Sequence, residues 1–234
     1  MQHLKAPRNL RGSTSVKKPD RKLRLIDRLR LRFSTSRMVD GLLIDVWNND
    51  SQSLNRIEEA LRLIKHRDAL HYSRVVSNLD RIWVLLLPDA AAHYDRSQNA
   101  CVMDERFVLL ESTTLERIAS TIVHEATHAR LERWGMLYDE KKRPRIEAIC
   151  LRRELNFLAG LPDSEPLQEE IKSTLEWCAG DHDFFSDENF QQREEQGQFE
   201  TLRYLGTPNW LINFLMRLVQ RRRERWLRAT SAGK

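Results

Sequence analysis

Residues 124–128 read His-Glu-Ala-Thr-His, two histidines four apart with a glutamate directly after the first. On a helix four residues make about one full turn, so positions 124 and 128 stand one above the other and their imidazoles project in parallel. Two neutral imidazole nitrogens set this way suit one Zn2+, which binds histidine at roughly 2.0–2.1 Å. Glu125 is one step further round the helix. There it is poorly placed to ligate the same ion but well placed to take a proton from a water beside it. The H-E-x-x-H pattern thus combines two ligands and a general base in one turn.

The flanking residues say how this segment must sit. Leu115, Ile118, Ala119, Ile122, Val123, Ala126 and Ala129 recur with helical period and share one side. His124 and His128 fall nearly opposite that stripe. This argues against two core histidines and leaves a pair of surface histidines as the plain alternative. Thr113 and Glu116 form a T-x-x-E capping box ahead of the stripe, and Gly135 is a natural stop after Trp134.

Two histidines do not complete a catalytic zinc site, which takes three protein ligands and keeps one position open. A third histidine six residues after the second is absent, because Leu131 and Trp134 occupy the positions of that longer pattern. Nineteen residues beyond His128, Glu147 stands in "RIEAIC" on the next expected helix, and a short loop would return it beside the pair. "HEATH" followed by "EAI" at this spacing resembles the gluzincins, the thermolysin-like HExxH metallopeptidases, over about residues 80–160. HExxH proteins that cleave repressors in bacteria and phage carry a distal Glu in a similar setting.

The resemblance implies that His124, His128 and Glu147 are the ligands of Zn2+ and that Glu125 is the catalytic base. It implies zinc-dependent hydrolysis of a peptide or protein substrate laid along an exposed edge strand, for which "ACVMDERFVLLES" is the candidate. In that family an acid four residues past the ligating Glu supports the first His. Here that position is Leu151, so the support must come from elsewhere. Glu154, two turns past Glu147, reads as a surface acid or as an acid behind the ligands. Tyr138, His182, Tyr204 and Arg152 are the candidates for stabilising an oxyanion, and His182 in "GDHDFF" is also a rival ligand. Trp134, Trp177 and Trp210 either line a cleft or, as is commoner in helical segments, fill the core.

The elements that must position these groups follow from periodicity. "SQSLNRIEEALRLIKHRD" is a helix with Leu54, Ile57, Leu61 and Ile64 on one face, and "RIWVLLLP" a buried strand. "ACVMDERFVLLES" is a hairpin or a bulged strand. Helices follow from Pro144 to Gly160, over "SEPLQEEIKSTLEWCAG", over "DENFQQREEQGQFETLRYLG" with Gly197 as a weak point, and from Pro208 onward. A few strands followed by many helices predict an α+β fold: a small mixed or antiparallel sheet, the HExxH helix and a mainly helical C-terminal part, a zincin-like arrangement.

The charge divides the 234 residues into three. Residues 1–37 hold twelve Lys/Arg and two acids, residues 217–234 seven and one, so the body, 38–216, carries −11 within a net charge of +5. The expected organisation is a basic, flexible N-terminal arm (1–37), a metallopeptidase domain (38–216) and a basic C-terminal tail (217–234). Basic ends can hold an anionic partner, nucleic acid or membrane headgroups, or the acidic body itself. They support the competing function class, a nucleic-acid- or membrane-surface-binding protein with a structural or inactive metal site, although no recognised nucleic-acid motif is present. The apolar runs are too short to span a bilayer, no secretory signal is visible, and three cysteines without a C-x-x-C pair fit a reducing cytoplasm.

Overall fold

The computed structural model describes residues 34–47, 50–88, 90–180 and 183–218. The basic tail beyond 218 and His182 lie outside these residues, as does the arm up to residue 33. The sheet begins at Ser34, so the last residues read as arm from their charge, 34–37, are part of a strand.

Five strands form one mixed sheet: β1 (Ser34–Val39), β2 (Leu42–Trp47), β3 (Arg81–Leu85), β4 (Ala92–Asp95) and β5 (Ala100–Asp104), in the order β1-β2-β3-β5-β4. β1 and β2 pair antiparallel around Asp40-Gly41. Both of these residues have positive φ, 49° and 86°, as a two-residue hairpin turn of the primed kind requires. β2, β3 and β5 run parallel, and β4 returns antiparallel to β5.

The crossover from β2 to β3 is made by α1 (Ser51–Arg67) and α2 (Ala69–Asn78). Asp50 caps the first by accepting from the backbone N–H groups of Gln52 and Ser53, and Asp68 caps the second from Leu70 and His71. Leu54, Ile57, Leu61 and Ile64 of α1 are buried, as their spacing predicts. The segment expected to be a hairpin or bulged strand is strand β5 followed by a short helix, α3 (Glu105–Leu109). Asp104 is the hinge: its carboxylate accepts from the N–H of Arg106, which starts the helix and ends the pairing.

The HExxH helix is α4 (Leu115–Arg133), capped by Thr114, one residue later than the capping box suggests. It stops at Gly135, whose φ of +83° and whose neighbour's bond from the Met136 N–H to the Leu131 carbonyl make a left-handed C-terminal closure. α5 (Arg143–Leu158) has Pro144 in its first turn and packs along α4. α6 (Glu165–Cys178), a 3-10 turn at Asp183–Phe185 and α7 (Asp187–Tyr204) follow, and residues 209–218 are helical. α7 is continuous through Gly197, which is buried.

The fold is therefore α+β. Its main core lies between one sheet face, including Ile44, Val46, Ile82, Val84, Cys101 and Met103, and the helices α1, α2 and α4. Trp83, Leu85, Ala100 and Val102 form a second apolar cluster on the opposite side of the sheet. No helix of the described residues is long and apolar enough to cross a membrane.

Candidate metal centre

α4 is held by its apolar side. Ile118, Ala119, Ile122, Val123, Ala126 and Ala129 are all buried in the main core, while Leu115 is half-buried at the first turn. The opposite side would face solvent if the helix stood alone. α5 covers it, and the side chains of His124 and His128 are only 14% and 11% exposed. That removes the plain alternative of two surface histidines.

Glu147 arrives from the first turns of α5. Its Oε2 lies 3.3 Å from His124 Nε2, its Oε1 lies 3.5 Å from His128 Nε2, and the two Nε2 atoms are 3.2 Å apart. A tetrahedral centre with bonds of roughly 2.0–2.1 Å sets its ligand atoms about 3.3–3.4 Å from one another. Glu147 thus sets one carboxylate oxygen near each imidazole nitrogen, at separations close to those between the ligand atoms of a tetrahedral zinc.

The hydrogen bonds around the triangle orient it. His124 Nδ1 donates to Glu154 Oε2 at 3.1 Å, and Ser120, one turn earlier on α4, donates to Glu154 Oε1 at 2.8 Å. Glu154 is buried. With its proton on Nδ1, neutral His124 presents a lone pair from Nε2 to a carboxylate and to a second ring nitrogen. Such an arrangement repels itself unless a proton or a cation lies between the atoms. Tyr138, in the loop joining α4 and α5, donates to Glu147 Oε1 at 2.6 Å and packs edge-on against His128.

The electrostatics agree. Burial alone would push the His124 pKa down, but hydrogen bonds to Glu147 and Glu154 raise it well above 6.5. Burial likewise works against the Glu147 carboxylate, yet the two histidines hold it well below the usual carboxylate range. The Tyr138 hydroxyl is pushed up by burial and by the Glu147 charge.

Cys150, one turn past Glu147, was not singled out by spacing. Its thiol is fully buried, and its Sγ lies within 4.8 Å of a nitrogen of each histidine, as a third possible ligand atom. Burial, followed by the charge of Glu147, raises its pKa far above the ordinary thiol value. Glu125, 6% exposed, is close enough for its charge to act on His124, Tyr138 and the Cys101 thiol of β5.

The structure thus brings together His124, His128, Glu147, Glu154 and Tyr138, with Glu125 alongside. Leu151 is packed in the main core and cannot orient a ligand. Glu154, three residues further on, is the acid that meets His124, and its signal was the seven-residue spacing from Glu147, two turns on one face. Tyr204 lies with Arg106 over its ring, and Arg152 is exposed on α5. Trp134, Trp177 and Trp210 are 65%, 40% and 70% exposed, so none is a core residue. "ACVMDERFVLLES" is not an edge: β5 lies between β3 and β4, and the free border beside α4 is β4. No protein-family model matches the chain, and no curated protein or solved structure matches it either.

Proposed function

We propose that the chain is a zinc-dependent metallopeptidase of the gluzincin type, with His124, His128 and Glu147 holding Zn2+ and Glu125 as general base. The observation that carries this reading is the meeting of three side chains from two helices: the Nε2 atoms of His124 and His128 lie 3.2 Å apart, the two carboxylate oxygens of Glu147 lie 3.3 and 3.5 Å from them, one on each ring, and Glu154 stands behind His124. Bound zinc would supply Lewis-acid polarisation of a carbonyl and a lowered pKa for water. Glu125 takes the proton of the attacking water and delivers it to the leaving amine. Tyr138, held beside Glu147, is a hydroxyl able to donate to an oxyanion.

The sheet supports the substrate class. β4, Ala92–Asp95, is the antiparallel border strand, lies against α4 and leaves His93 exposed. An extended peptide can add to such an edge with backbone bonds, as a zincin-like fold uses it. The free thiols of Cys101, Cys150 and Cys178 support a reducing, cytoplasmic setting.

Metal analysis of the purified full chain tests the reading. Wild type should bind one zinc per chain, and His128→Ala and Glu147→Ala should lose it. Full zinc occupancy in Glu147→Ala would overturn the ligand set.

A further inference from the structure

Away from the metal centre, α2, α4 and α5 enclose a cavity of about 50 Å³ on the flank of α4 next to the histidine face. Its floor is apolar, including Val75, Val123 and Ile149, and its wall carries three half-buried arginines, Arg74, Arg130 and Arg153, one from each helix. No acidic side chain lines it, and among the described residues none of the three guanidinium groups has a carboxylate within ion-pair distance. Like charges that act on one another around one cavity favour a counter-charge among them. Burial and the charges of Arg130 and Arg153 all act against the charged form of Arg74, with Asp68 the acid that acts the other way.

A second, independent feature marks the same cavity. His71, on its wall, is 6% exposed. Its Nδ1 is engaged by Asp68 at 2.6 Å, while Nε2 is buried with no hydrogen-bond partner. With its proton on Nδ1 toward Asp68, His71 presents a lone pair at Nε2, and a buried acceptor left open is costly unless a donor, such as the P–OH of a hydrogen phosphate, completes it. At the mouth, Arg130 lies over the ring of the exposed Trp134 at 4.3 Å, which holds the guanidinium in place.

We propose that Arg74, Arg130, Arg153 and His71 form an anion site for one phosphate group, the guanidinium groups donating to its oxygens and His71 Nε2 accepting from its P–OH. The volume admits a few water-sized atoms and no extended chain, which is the size of a single tetrahedral oxyanion. Guanidinium forks match its oxygens bidentately. The site is separate from the proposed zinc triad and does not depend on it.

Calorimetric titration of the full chain with inorganic phosphate at fixed ionic strength, against chloride, tests this. The expected result is saturable one-to-one binding, weakened roughly tenfold or more in each of Arg74→Gln, Arg130→Gln and Arg153→Gln. Arg145→Gln, an exposed change elsewhere on α5, should bind as wild type does. Phosphate should also shift the Trp134 indole N–H resonance of the wild-type protein, a readout independent of how well the variants fold. O-phosphoserine beside free phosphate identifies the source. Equal affinity assigns the free ion, and tighter binding of the ester assigns a phosphoryl group on a larger molecule. Heats no different from chloride, or binding undiminished when all three arginines are replaced, would overturn the proposal.

Discussion

Glu154 Oε2 accepts the Nδ1–H of His124 at 3.1 Å from a position two turns past Glu147 on the same helix. One helix therefore contributes both a ligand candidate and the acid that orients another ligand. Ser120 holds the second oxygen of that acid, so the carboxylate is fixed at both ends. Groups of this kind set the tautomer and aim of a metal-binding histidine. Glu154→Ala should weaken zinc affinity by roughly ten- to a hundredfold in competitive chelator titration. Glu154→Gln, which keeps an acceptor, should fall between. An unchanged affinity in Glu154→Ala would assign the residue to packing alone.

Glu125 tests the chemistry apart from the metal. Glu125→Gln should keep one zinc per chain and lose peptide hydrolysis by roughly a hundredfold or more, because a general base contributes on the order of 10² to 10⁴. Hydrolysis at the wild-type rate in that variant would remove Glu125 from its role while leaving the ligand set untouched.

Cys150 separates an open site from a closed one. If its thiol ligates, the centre has four protein ligands and no position for water. Cobalt substitution distinguishes the cases, since a thiolate ligand gives an intense near-ultraviolet charge-transfer band. The expected spectrum lacks that band, and Cys150→Ser should leave it and the zinc stoichiometry unchanged. A strong band that disappears in Cys150→Ser would make the site structural.

Proton and metal compete for the same triangle. In chelator-treated protein the raised His124 pKa adds stability that is complete below the ordinary value of 6.5 and is lost as pH rises through the raised value. The depressed Glu147 pKa adds stability that is present above 4.5 and is lost as pH falls through the lowered value. Thermal unfolding of the metal-free protein should show a plateau from pH 4.5 to beyond 6.5 with a decline on either side. His124→Gln should flatten the alkaline decline. The same limb at full slope in that variant would assign it to other groups. Zinc affinity should rise with pH over the alkaline limb, with proton release on binding.

What local spacing decides was legible in the residues. The apolar stripe of α4, the placing of His124 and His128 one turn apart on one face, the stop at Gly135 and the start at Pro144 all follow from a 3.6-residue period and from end chemistry. β1, β2 and their turn were not read from the sequence, although Asp40-Gly41 is a hairpin-turn signal. Tertiary structure decided the rest. It decided that α5 covers the histidine face and turns apparently solvated rings into largely covered ones. It decided that Glu154 rather than Leu151 meets His124, because Leu151 is turned into the main core. It decided that β4, not β5, borders the sheet, and it gathered three arginines from three helices around one cavity. Period and capping describe how a segment winds, whereas these outcomes depend on which segments pack side by side and in what rotation, and that is settled by the burial of the whole chain at once.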